Sequence, residues 1–116
     1  MKIISLDQNR QFQRLYRRGK SAVTPTMVVY AAPNRVQKIR LGITTGKKVG
    51  GAVSRNRAKR RIRELFRISQ SRLRCGFDFC IVARSYTVRA SHAKLERDFY
   101  TAMEKLGVWA DETVSD

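Results

Sequence analysis

The sequence predicts one small α+β domain: about four strands in a mainly antiparallel sheet, packed by three helices in the order α-β-β-β-α-β-α. Three observations predict it. Apolar residues recur at helical spacing near the start, in the middle and near the end of the chain. Between these stretches, the short runs MVVYAA, LGITT and FDFCIVA are dense in β-branched and aromatic residues and read as strands. A chain of 116 residues, 42% of them hydrophobic, is long enough to bury one modest core and too short for two. The expected domain spans residues 1–107. Residues 108–116 hold three acids and no basic residue, and are expected to form a flexible acidic tail, from which Trp109 could still fold back onto the domain.

The elements follow in order. Residues 1–6 read as an extended arm. Asp7 or Asn9 can cap a first helix and Gly19 can end it. In that helix Phe12, Leu15 and Tyr16 fall at i, i+3 and i+4, surrounded by Arg10, Arg14, Arg17 and Arg18. The three apolar residues can simply bury the helix, or Phe12 and Tyr16 can form a platform on which unpaired bases stack. A short strand over Ser21 to Val23 precedes a clear one over Met27 to Ala32. A basic loop then leads to Leu41–Thr45, where Gly42 marks a bulge or a close approach of backbone. Phe77 to Ala83 reads as a central strand. Ser91 can cap the last helix, whose Leu95, Phe99, Ala102, Met103 and Leu106 form a core face, and Gly107 can end it.

The middle of the chain is the informative part. Lys47 to Arg67 holds nine Lys or Arg and a single acid, Glu64. Gly50-Gly51 breaks the preceding strand and turns the backbone into a helix. At 100° per residue, Ala58, Ile62, Leu65 and Phe66 share one face, and Ser69 and Leu73 extend it. Asn56, Arg60, Arg63 and Arg67 form a narrow band on the opposite side, with Arg57 and Glu64 beside it. Like charges at i,i+4 cost a few tenths of a kcal/mol each, an arrangement that makes sense if an external polyanion supplies the negative charge; nucleic acid fits best, with an anionic membrane or a solubility device as the alternatives. The predominance of Arg favours forked contacts to phosphate. The helix start beside Lys47, Lys48 and Arg55 is a natural place for one such phosphate. The order GKKVGGAVS is not that of a nucleoside-triphosphate loop.

The formal charge of +16 and pI near 11.1 agree with a polyanionic partner. Residues 35–74 carry 14 of the 25 basic residues and only one of the nine acids. Cys75 and Cys80 suit neither a disulfide framework nor a zinc site, because the only histidine is His92. Asp78 has no second carboxylate nearby in sequence and reads as a structural partner of an arginine. His92 has no nucleophile beside it. With no catalytic constellation, no export signal and no membrane span, the residues alone point to a soluble, cytoplasmic RNA-binding module. A ribosomal-type structural RNA-binding protein without a role in catalysis shares the charge and size. A DNA-binding domain lacks its helix-turn-helix pair or zipper, and an autonomous nuclease lacks its catalytic set.

Three segments, NRQFQRLYRRGKS, LGITTGKKVGGAVSRNRAKRRIRELFR and DFCIVAR, together resemble the bacterial ribonuclease P protein component from Leu6 to about Leu106. The family's RNR motif falls at Arg55-Asn56-Arg57, and Gly46 departs from the serine expected before the lysine pair. The resemblance implies the protein subunit of a ribonucleoprotein endoribonuclease, with no catalytic residue in this chain. A catalytic RNA, using Mg²⁺ bound mainly by that RNA, removes the 5′ leader of precursor tRNA. Implied partners are that RNA and precursor tRNA, with no membrane and a monomeric free protein. Implied RNA-binding residues are Lys47, Lys48, Arg55, Asn56, Arg57, Lys59, Arg60, Arg63 and Arg67. The implied leader cleft holds Phe12, Tyr16 and Arg84. The resemblance also implies an unusual left-handed crossover through the basic helix.

Overall fold

Strand alternation decides which helix covers which face of the sheet. The computed structural model describes residues 3–110. Its strands are β1 (Ile4–Ser5), β2 (Lys20–Val23), β3 (Met27–Pro33), β4 (Ile39–Thr45) and β5 (Phe77–Ala83). Its helices are α1 (Asn9–Arg18), α2 (Ala52–Ser69), α3 (Ser85–Arg89) and α4 (His92–Leu106). The sheet order is β1-β4-β5-β3-β2. Met27, Val29, Ala31, Ile39, Leu41, Phe79 and Ile81 point to one face, where α2 and α4 bury them. The alternate residues Tyr30, Ala32, Cys80 and Val82 point to the other, where α1 packs with Leu15 and Phe12.

Two features of the expected fold are corrected. There are five strands and four helices among the described residues rather than about four and three. The additions are β1, only two residues long, and α3, only five. Neither is long enough to show a period in sequence. The sheet is also mixed rather than mainly antiparallel. β2–β3 and β3–β5 pair antiparallel, whereas β1–β4 and β4–β5 pair parallel. Parallel neighbours need a long crossover, and α2 supplies it between β4 and β5.

The larger core lies under α2 and α4. Phe66 stands edge-on to Phe79 at 5.4 Å and to Phe99 at 6.4 Å, and all three are fully buried. Ser91 caps α4 by accepting from the Lys94 N–H at 3.1 Å, and Gly107 ends it at φ 69°. Neither Asp7 nor Asn9 caps α1. Instead the Gln11 side chain turns back, its Oε1 accepting from the Asp7 and Gln8 N–H groups at 3.0 Å each.

The packed chain continues past the boundary expected at residue 107. Val108 is fully buried, and its carbonyl accepts from the Arg74 N–H at 2.8 Å. Trp109 packs edge-on against Phe99 and Tyr100, with the Arg72 guanidinium 4.9 Å from its ring centre. The rest of the acidic tail, residues 111–116, lies outside the described residues.

Candidate nucleic-acid interface

The site is assembled from the carboxyl ends of β4 and β5, the turn between β4 and α2, and the open part of the α1 face. Leaving β4, the chain makes a tight 3-10 turn over Lys47–Val49. Val49 is buried and pins the turn, leaving Lys47 and Lys48 exposed. Gly50 follows at φ 132°, a conformation that L side chains rarely adopt. A Cβ there would also stand 2.9 Å from that of Ser54. Gly51 then opens α2, whose first turn has no side-chain cap and no acid. Its free N–H groups are therefore available beside the lysines.

Along α2 the expected division of faces holds. Ala58, Ile62, Leu65, Phe66 and Ser69 are buried, whereas Asn56, Arg57, Arg60, Arg63 and Arg67 are exposed. Arg55 and Lys59 are half-buried at the edges. Two arginines are partly committed inside the fold. Arg67 forks onto Glu64 at 3.1 and 2.6 Å, which holds the Glu64 carboxyl below its usual range. Arg57 Nε donates to the Val88 carbonyl at 3.2 Å.

Arg61 belongs to the same basic run but faces the other way. Its guanidinium donates to the carbonyls of Thr87 and Val88, both at 2.9 Å, and of Ala90 at 2.7 Å. It thereby ties α3 to α2, and burial lowers its pKa. Its helical angle, between the exposed band and the core face, is the signal that separates it from its neighbours.

On the α1 face, Leu15 is the only buried residue of α1. Phe12 is half-buried, and its ring lies over Gly42 and near Leu6: a Cβ on Gly42 would stand 2.3 Å from Phe12 Cε1. Gly42 therefore marks a close approach, with α1 resting on the strand. Tyr16 is 44% exposed. One edge of its ring meets Tyr30 at 4.9 Å, and its hydroxyl shares a hydrogen bond with the Cys80 thiol at 3.4 Å. Burial of that hydroxyl end, then the Cys80 contact, pushes the Tyr16 pKa up to about 12, so the phenol stays neutral. Burial likewise pushes the Cys80 thiol up.

Beyond Tyr16 no described helix covers the sheet, and Val28, Tyr30, Thr44 and Val82 are only half-buried. Their side chains were not singled out from the sequence, although period-two alternation around Val29 and Ile81 places them on this face. Cys80, Val82 and Arg84 follow one another along β5 and its end, about 13 Å of strand. Arg84 donates to the Thr24 carbonyl at 3.0 Å and lines a hollow of about 370 Å³ with Lys47, Lys48 and Val82. The structure thus brings Arg84 to the lysine turn and sets Phe12 and Tyr16 at the other end of the same strip.

Behind the strip, Asp78 is buried and accepts a fork from Arg40 at 2.7 and 2.9 Å, with Asn34 at 2.8 Å and Arg14 at 3.8 Å. It is the structural arginine partner expected from sequence. Among the described residues no group of three or more His, Cys, Asp or Glu is placed to hold a metal ion. The buried acids Asp78 and Asp98 face arginine, lysine, amide and hydroxyl donors instead. No described helix is long and apolar enough to cross a membrane.

Comparison with known proteins gives one answer at the level of sequence and of fold. The profile of the family described as Ribonuclease P matches residues 2–107. The ribonuclease P protein component of Natranaerobius thermophilus is 35% identical over 89% of this chain and 90% of its own. That of Clostridium botulinum strain Loch Maree is 34% identical over 94% and 99%. Among solved structures, the Staphylococcus aureus RNase P protein superposes with a TM-score of 0.83 at 31% identity, covering 94% of this chain and all of that one. The Thermotoga maritima RNase P protein does so with 0.75 at 29% identity, covering 84% and 92%. The chain belongs to the bacterial ribonuclease P protein family.

Proposed function

We propose that the open strip of the α1 face receives the single-stranded 5′ leader of precursor tRNA, while the outer band of α2 rests on the catalytic RNA. The protein subunit of ribonuclease P assists RNA-catalysed removal of that leader, and the catalytic centre lies in the RNA subunit. The observation that carries the residue-level reading is the uncovered strip itself. On this face Tyr16 and the half-buried Val28, Tyr30, Thr44 and Val82 stay partly open, and the strip ends at Arg84, Lys47 and Lys48.

A single-stranded leader presents both phosphates and unstacked bases. Tyr16, and the exposed part of Phe12, offer stacking surface, while Arg84 and the lysine turn offer charge to the backbone. No base-specific hydrogen bonding is needed. On α2, Arg55, Asn56, Arg57, Lys59, Arg60, Arg63 and Arg67 provide a band suited to the phosphates of a folded RNA. Two polyanions brought together repel, and a chain of charge +16 between them screens that repulsion. The Mg²⁺ ions of the reaction belong on this reading to the RNA. We place the free protein in the cytoplasm as a monomer, with the β4–α2–β5 crossover left-handed as in the family.

The test is a binding and cleavage assay with the assembled ribonucleoprotein. Protein alone should leave precursor tRNA intact, and adding the RNA subunit should give cleavage at the 5′ mature end. Replacing Lys47, Lys48 and Arg84 together by alanine should weaken binding of precursor tRNA while sparing mature tRNA. The salt slope for the precursor should then flatten by roughly 0.7 per lost single-strand contact. Equal weakening of both RNAs would remove these residues from the leader path.

A further inference from the structure

A second basic surface lies away from both the α2 band and the open strip. In α1, Arg10, Arg14, Arg17 and Arg18 occupy the side opposite Phe12 and Leu15, all four are exposed, and the helix contains no acid. With Gln13 they surround a surface hollow of about 260 Å³. Arg18 also lines a second hollow, of about 360 Å³, with Lys20, Arg74, Pro33 and Phe77. There Arg74 is already positioned, stacked 5.8 Å from the Phe77 ring centre and donating to the Gly107 carbonyl at 3.4 Å. The two hollows share Arg18, so six cations form one track that wraps round the end of the sheet.

The track is separate in space from the site described above. Phe77 and Arg84 stand at opposite ends of β5, about 20 Å apart along a seven-residue strand. The arginine ridge of α1 also lies over the face of the sheet opposite α2.

A solvated helix face does not explain the ridge. Arg10–Arg14 and Arg14–Arg18 are like-charged i,i+4 pairs, and among the described residues only Arg14 has an acid within ion-pair distance, at 3.8 Å. The helix dipole favours Arg17 and Arg18 in the last turn but disfavours Arg10 in the first. Within the fold Arg10 donates to the Gln8 side chain at 2.7 Å and Arg14 to the Pro33 carbonyl at 2.9 Å, and these contacts, mostly to neutral acceptors, leave most of the ridge's charge unneutralised.

We propose that the track from Arg10 through Arg18 and Lys20 to Arg74 is a second RNA-binding surface, specific for the phosphate backbone of structured RNA. Its guanidinium forks suit phosphate oxygens. It has no free aromatic face for bases, because Phe77 lies beneath Arg74. The inference goes beyond the leader strip and the α2 band and rests on neither. The protein then touches structured RNA on two sides, along the α2 band and along this track.

The probe is the ribonuclease P RNA subunit without substrate, its affinity measured across a salt series. Three exposed residues whose side chains make no ion pair among the described residues are replaced, Arg17→Gln, Arg18→Gln and Lys20→Gln. Their loss should lower the slope of log affinity against log salt by about two units, at 0.7–0.9 per phosphate contact. Combined with Arg60→Gln and Arg63→Gln on α2, the losses should add. The ratio of precursor to mature tRNA affinity should stay at the wild-type value. Arg17→Glu alone provides the same reading if the triple variant does not fold. An unchanged slope in a folded variant would make the track a solvated face. A fall in the precursor-to-mature ratio would make it part of the leader path, and either result overturns the proposal.

Discussion

The two faces of the sheet use similar residues for opposite ends. Under α2 and α4, the rings of Phe66, Phe79 and Phe99 are fully buried and meet edge to edge. Across the sheet, Phe12, Tyr16 and Tyr30 also gather, yet each keeps surface exposed, and α1 covers only part of the face. Both clusters are aromatic and only one is closed. The lesson is that aromatic content does not mark a binding surface. On the proposed reading, what marks it is a sheet face that the described helices leave partly open, bordered by exposed cations.

The sharpest way to break this contrast is to damage the closed face. Phe66→Ala should cost about 3–5 kcal/mol of stability, read from denaturant midpoints, because a fully buried ring is removed between two others. RNA binding should fail only in conditions where the fold itself is lost. If Phe66→Ala left stability intact but removed RNA binding, the closed face would not be a core.

A smaller effect is expected where the open face touches α1. In Gly42→Ala the new Cβ would meet the Phe12 ring at 2.3 Å, so the ring and α1 must move. The overpacking should cost about 1–3 kcal/mol. Calorimetry should show a lowered but cooperative transition, and discrimination of precursor from mature tRNA should fall because the strip is reshaped. Unaltered discrimination with lowered stability would confine Phe12 to packing.

Much of this was legible in the sequence, for reasons that can be stated. The α2 band follows from arithmetic at 100° per residue, since Asn56, Arg60, Arg63 and Arg67 cannot face the core if Ile62 and Phe66 do. The Ser91 cap, the Gly107 terminus and the close approach at Gly42 follow from local backbone chemistry. What could not be read was set by tertiary structure. β1 has two residues and gains its identity only by pairing with Arg40 and Leu41. α3 has five, held by Arg61 from α2 and by Thr87, whose hydroxyl accepts from the Arg84 N–H and donates to the Thr26 carbonyl. Val108 and Trp109 sit in a segment whose acidic composition suggested a tail, yet one side chain is buried and the other stacks. The direction of Arg61 was available from its helical angle, but a charge count hides it.

The central claim is that the uncovered strip binds the leader through Tyr16. The most direct measurement is the affinity of the assembled ribonucleoprotein, carrying Tyr16→Ala, for precursor and for mature tRNA, together with the melting temperature of the variant protein. Stacking of one base on an aromatic ring is worth about 1–3 kcal/mol. Precursor affinity should therefore fall about tenfold, mature tRNA should bind as before, and the melting temperature should change little because Tyr16 is 44% exposed. Equal losses for the two RNAs alongside a large drop in melting temperature would contradict the account and return Tyr16 to the core.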